Sequence, residues 1–109
     1  MSKTISPTKL AAGVVLCLLA ACAGWAQDGG KEMYLDKCSV CHGPDGAGKT
    51  AKGKKLKVGD VHQTAAKESE ADMVKIVTDG KGANMDAFAK DLKPEQIVAI
   101  VQYYRSLAK

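Results

Sequence analysis

Apolar residues recur at helical spacing in three stretches of this chain, and no stretch alternates apolar with polar residues as strands joined by hairpin turns would. The last stretch is the clearest. Ile97, Ile100, Val101, Tyr104 and Ala108 follow the i, i+3, i+4, i+7 stripe, and Pro94 suits the first position of the helix they imply. Its cap is weak, because Lys93 stands where Ser, Thr or Asp would accept a backbone N–H. A second helix starts at a Ser69 and Asp72 capping box, carries Met73, Ile76 and Val77 on one face, and stops at Gly80. A short first helix over residues 31–37, "KEMYLDK", turns Tyr34 and Leu35 toward a core. Residues 43–57, "GPDGAGKTAKGKKLK", and 79–93, "DGKGANMDAFAKDLK", read as loops from their glycines. The expected fold class is therefore all-α, with short helices and long loops. Loops of that length are uncommon in a compact domain unless a ligand orders them, so a large prosthetic group would complete the core.

One apolar run has no period. Residues 10–21, "LAAGVVLCLLAA", hold no charge and follow residues 1–9, which carry Lys3 and Lys9 and no acid. The run has 12 residues, short of the ~20 that a spanning helix needs, and the pattern is that of an export signal. Two cleavage points compete. Gly24 and Ala26 in "GWAQ" would make residues 1–26 a signal peptide and residues 27–109 the domain. "LAAC", residues 19–22, resembles the bacterial lipobox, which would end the leader at residue 21 and leave Cys22 lipidated as a membrane anchor. Either reading sends the domain to the periplasm or otherwise outside the cytoplasmic membrane.

Export changes what the cysteines mean. Of four, Cys17 lies in the leader and Cys22 is removed or lipidated, so only Cys38 and Cys41 stay in the domain, which is no disulfide framework. A domain of about 80 residues builds a marginal core and commonly takes support from a metal or cofactor. Net charge is uninformative: from Gln27 onward there are 14 basic and 12 acidic residues. Locally, however, Lys49, Lys52, Lys54, Lys55 and Lys57 place five positive charges in nine residues without an acid. Such a cluster steers partners with acidic docking faces, or simply keeps a loop solvated. Nucleic acid is excluded, because no aromatics are interleaved and the compartment is wrong. A monomer is expected, in contact with a membrane only through lipid at Cys22.

Residues 38–43, "CSVCHG", carry the chemistry. A disulfide would leave His42 and the glycine-rich sequel idle, with no thioredoxin-like strand and helix pattern around it. Structural zinc needs four ligands; only His42 and His62 supplement the thiols, and His42 is poorly placed to share a metal with both. Covalent haem uses every residue at its spacing. The thiols of Cys38 and Cys41 add to the two vinyl groups on one porphyrin edge, and His42 then coordinates the iron. The motif opens the domain, whereas a four-helix bundle of the cytochrome c-prime type would carry it near the C-terminus.

With these residues in view, the sequence resembles the class I c-type cytochromes, in particular the short bacterial monohaem kind, from about Gly30 to Leu107. The resemblance implies a class I cytochrome c fold wrapped around one covalently bound haem c. In that family a small residue and an aromatic of the first helix pack on an aliphatic and an aromatic of the last; Gly30 and Tyr34 match the former, Ile100 and Tyr103 the latter. The carbonyl twelve residues after the ligand histidine supports the imidazole; a proline is usual there, and this chain has Lys54, followed by an apolar Leu56.

The second axial ligand decides the chemistry, and the candidates are Met85, Met73 and His62. Met33 precedes the motif too closely to reach the opposite face. Met73 sits on a helical stripe that suits core packing, and His62 suits an exposed surface. The resemblance points to Met85, because the family draws its ligand from the loop before the last helix, commonly as Met-Pro-Ala-Phe. Here the run is Met85-Asp86-Ala87-Phe88, with aspartate in place of the proline. The implied function is a periplasmic carrier of single electrons between respiratory or other redox proteins, not an enzyme. Two alternatives stand beside it: a haem enzyme or gas-binding protein with a labile sixth ligand, and a lipid-tethered donor subunit of a respiratory complex.

Overall fold

The computed structural model describes residues 29–109; the two leader readings and Cys22 lie outside the described residues. Residues 29–37 form a helix, α1, which runs almost directly into α2 (Ser39–His42). There follow α3 (Ala51–Lys55), α4 (Val61–Lys67), α5 (Glu70–Asp79) and α6 (Pro94–Ser106). Among the described residues there is no strand, only one isolated bridge between Lys81 and Met85. None of the helices is long and apolar enough to cross a membrane among the described residues.

The core lies between α1, α5 and α6. Tyr34, Met73, Val77, Ile97, Ile100, Val101 and Tyr104 are buried together, with Val61 and Leu92 closing the ends. The stripe read in α6 is thus the face that it buries, except that Ala108 lies past the helix end and is half-buried. Where α1 crosses α6 the backbones nearly touch. A Cβ on Gly30 would lie 2.8 Å from the carbonyl carbon of Ala99, so any larger residue would wedge the two helices apart. The glycine therefore faces the Ala99 backbone, one residue short of the expected Ile100, because close approach is governed by the peptide group and not by a side chain. The aromatic half of the expected contact is present: the Tyr34 and Tyr103 rings lie 5.3 Å apart at 59°.

The α5 box forms at both ends of its pairing. Ser69 Oγ accepts the Asp72 N–H at 3.1 Å, and the Asp72 carboxylate accepts the Ser69 N–H at 3.2 Å. These bonds hold the Asp72 carboxyl below its ordinary range. A group depressed in the folded state stabilises above its unfolded pKa, ~3.9, and that contribution disappears as pH falls through the folded value. Asp72→Ala will therefore be less stable than wild type at pH 7, and the difference will vanish toward pH 2. Denaturant titrations at both pH values check this; an undiminished gap in acid would contradict it.

Helices α3 and α4 lie where the chain shows no apolar stripe. Residues 43–57 read as loop from their glycines, yet residues 51–55 are helical. Thr50 caps them by accepting the Gly53 N–H at 2.9 Å, and its own hydroxyl donates to the Val40 carbonyl at 2.8 Å. Gly53 lets α3 lie on the cysteine motif: a Cβ there would collide with the Cys41 carbonyl oxygen and lie 2.6 Å from that of Gly48. Helix α4 is capped by the Asp60 carboxylate, which accepts the His62 N–H at 2.8 Å. The weak cap foreseen at Lys93 is half repaired, because the Gln96 side chain reaches back to the Lys93 N–H at 2.8 Å.

Candidate functional site

Cys38, Cys41, His42 and Met85 all border one cavity of about 410 Å³. Its walls are mostly apolar, with Met73, Ile76 and Val77 from α5 and Ile100, Val101 and Tyr104 from α6. Leu56 and Val58 add to them from beyond α3, and Phe88 from the loop before α6. Lys37, Lys52, Lys57 and Lys81 stand at the margin with Glu68, Asn84 and Asp86.

The motif is held by its neighbours. The Tyr34 hydroxyl donates to the carbonyl of Gly43 at 2.7 Å, and the Gly48 N–H donates to the carbonyl of His42 at 2.8 Å. Burial and the neighbouring phenols raise the Tyr34 pKa, so it stays a donor at any physiological pH. Its ring stacks on Tyr104 at 5.9 Å, and Tyr104 in turn meets His42 in a T-shaped arrangement at 5.4 Å and 70°. This aromatic series sets the orientation of the imidazole. Tyr104 was legible in the sequence as core but not as the residue against His42.

Both cysteines are free thiols, half-buried. Burial pushes the Cys38 thiol up to about 11, against a smaller opposing effect of Lys37, so it stays protonated at neutral pH. Burial pushes the His42 imidazole down, favouring the neutral form that can donate a lone pair to a metal. The Nδ1 atom of His42 is buried without a hydrogen-bond partner. The expected support from the Lys54 carbonyl is absent, and the reason is α3. Its residues curl into a helical turn, and that carbonyl accepts the Lys57 N–H at 3.2 Å instead.

The three candidate second ligands separate. His62 is 64% exposed at its side chain, bonds Asp60 at 2.8 Å, and does not border the cavity. Met33 is partly buried against the core, also away from the cavity. Met73 borders it but is 4% exposed on α5, with Sδ 3.8 Å from Arg105 Nη1. Met85 sits half-buried on the loop between α5 and α6, where its backbone pairs with Lys81 in both directions, at 2.9 and 3.3 Å. Phe88 N–H closes the same loop onto the Val77 carbonyl at 2.9 Å.

The lysine cluster divides. Lys52 and Lys57 reach the cavity margin, whereas Lys49, Lys54 and Lys55 are exposed away from it. Lys37 and Lys81, from other segments, complete a basic border that the linear run did not reveal.

Two thiols, an imidazole and a thioether sulfur on one apolar cavity suit a porphyrin held through two thioether bonds, with nitrogen and sulfur available to its iron. Among the described residues no three His, Cys, Asp or Glu side chains converge as a separate metal centre. The family model described as "Cytochrome C oxidase, cbb3-type, subunit III" matches residues 26–103. The chain is similar to the cbb3-type cytochrome c oxidase subunit FixP of Azorhizobium caulinodans, 30% identical over 78 residues. That alignment covers 72% of this chain and 26% of the relative, so the chain spans about a quarter of that protein's length. Among solved structures it is similar to the KustC0563 c-type cytochrome, with a TM-score of 0.68 and 30% identity, covering 73% of this chain and 98% of that one.

Proposed function

The chain belongs to the family described as cytochrome c oxidase, cbb3-type, subunit III, as a class I c-type cytochrome domain that binds covalent haem c, and on that premise we propose that it is an exported carrier of single electrons. Cys38 and Cys41 would hold the haem through thioether links, and His42 and Met85 would offer nitrogen and sulfur to its iron, as proximal and distal ligand in turn. When bound, the haem supplies an iron that takes up and releases one electron. The observation that carries the reading is the meeting of all four residues on one apolar cavity.

The surrounding residues serve transfer and not bond-making. Ile76, Val77, Ile100 and Val101 exclude water from the cavity, and Tyr104 and Tyr34 hold the imidazole and its turn in place. With His42 and Met85 both held by the fold at the cavity, a bound haem would exchange an electron with little rearrangement of the chain. The border of Lys37, Lys52, Lys57 and Lys81 favours redox partners with acidic faces, so transfer rates fall with salt. The domain transforms no substrate by itself. In the same reading residues 1–26 form a cleaved leader, or Cys22 carries a lipid.

A second reading has the similarity to FixP behind it: this chain is a dedicated donor within or beside an oxidase complex. Ferric holoprotein from exported material tests the site, and its native mass tests the assembly. A low-spin spectrum with the weak far-red band of methionine ligation is expected. A high-spin spectrum at neutral pH would sink the carrier reading in favour of a gas-binding or catalytic haem. A stable co-purifying oxidase would favour the subunit reading over the free carrier.

A further inference from the structure

The loop that carries Met85 is fastened unevenly. Its second half is tied to α5 by backbone bonds, Phe88 N–H to Val77 at 2.9 Å and Ala89 N–H to Thr78 at 3.3 Å. Its first half leaves α5 at Gly80, whose N–H donates to the Ile76 carbonyl at 2.7 Å, and from Lys81 to Met85 it is shaped by its own pairing, Lys81 with Met85, which joins these residues only to each other. The tie from this arm to another segment is a side-chain one. Lys81 Nζ lies 3.7 Å from the Glu68 carboxylate. Among the described residues the other ion pairs join near neighbours, Lys37 with Asp36 and His62 with Asp60. The Lys81 pair alone among these connects separate parts of the fold.

What Lys81 is tied to does not move easily. Glu68 is the junction between α4 and α5, and its carbonyl accepts Arg105 Nη1 of α6 at 2.8 Å. The same guanidinium reaches Met73 Sδ at 3.8 Å, and Gln102 of α6 donates to Glu70 at 3.2 Å. Helix α6 therefore anchors the junction at several points. The Glu68 side chain borders the cavity and is 28% exposed, against 69% for Lys81, so one partner is partly desolvated and the other is wet.

We propose that Glu68 is a positioning residue for Met85: it holds Lys81, and through the backbone pairing of Lys81 with Met85 it sets the ligand loop over the cavity. The inference rests on the reading of Met85 as the distal ligand. The pair is a wet, salt-sensitive contact, so it biases the loop and leaves global stability unchanged.

Imidazole added to ferric holoprotein competes with the methionine sulfur for iron and so reports how firmly the loop is held. Glu68→Lys and Lys81→Glu will each bind imidazole about two- to fivefold more tightly than wild type, as befits a partly exposed ion pair. The double variant, with the charges exchanged, will return to the wild-type value. High salt will loosen wild type in the same way and, by screening the like-charge repulsion in each single variant, will move those variants back toward it. A simple field effect of charge on the iron predicts otherwise, since the two single variants change charge in opposite directions. Opposite shifts in imidazole affinity, or a double variant that stays loosened, with the far-red band intact in wild type and lost in Met85→Ala, would overturn the latch alone. Persistence of the band in Met85→Ala would overturn the ligand assignment and the latch together.

Discussion

Met85→Ala will abolish the far-red absorption of the ferric holoprotein completely and shift it toward a high-spin spectrum that takes up added ligands without competition. The expectation follows from the separate fates of the methionines. Met73 is 4% exposed within α5, and its sulfur is engaged by Arg105, so it does not replace the lost ligand. Met73→Leu, which keeps the volume and removes the sulfur, will retain the band and cost less than ~1.5 kcal/mol of stability. If the band survives Met85→Ala but is lost in Met73→Leu, the ligand is Met73. Removing a methionine ligand also removes its preference for the reduced iron, so the potential of Met85→Ala will fall.

Gly53→Ala will lower the stability of the holoprotein by about 2 kcal/mol and its melting midpoint by roughly 10 °C. The sign is set by what the new methyl group meets. An alanine inside a helix ordinarily gains up to ~1 kcal/mol over glycine. Here the Cβ would overlap the Cys41 and Gly48 carbonyl oxygens, both backbone atoms that no side-chain rotation can clear. Helix α3 must then lift from the motif, straining the Thr50 hydroxyl bond to Val40 as it goes. Calorimetry of the holoprotein beside a Gly82→Ala control separates this from a generic glycine effect, since Gly82 has open space around it but a φ of +58°. Unchanged or raised stability in Gly53→Ala would show that the Cys41 and Gly48 carbonyls yield and that crowding does not govern the site, since Gly53 is helical and has no positive φ to lose.

The parts of this protein that were legible from the chain share one property: their physical cause is local. The stripe of α6 and the Ser69 box of α5 are written within a few residues of the atoms they satisfy, and both appear as expected. The cysteine and histidine spacing is likewise local chemistry, which is why "CSVCHG" pointed to haem before any fold was known. Elements that escaped notice have causes that lie elsewhere. The glycines of residues 43–57 describe a loop until Gly53 meets the Cys41 carbonyl, when the missing side chain becomes the reason that a helix can sit there. Helix α4 buries Val61 and shows no stripe, so its sole local sign is the Asp60 cap.

The site divides along the same line. Residue type and spacing were enough to nominate Cys38, Cys41 and His42, because a thioether-linked haem takes two cysteines three positions apart with a histidine directly after the second. They could not determine that Tyr104 would stand against the imidazole, that Lys54 would turn its carbonyl to Lys57, or that Lys37 and Lys81 would join Lys52 and Lys57 around one opening. Each of those depends on segments tens of residues apart being brought within a few ångströms. Packing alone sets such distances, through α6 crossing α1 at Gly30 and holding the α4–α5 junction through Arg105.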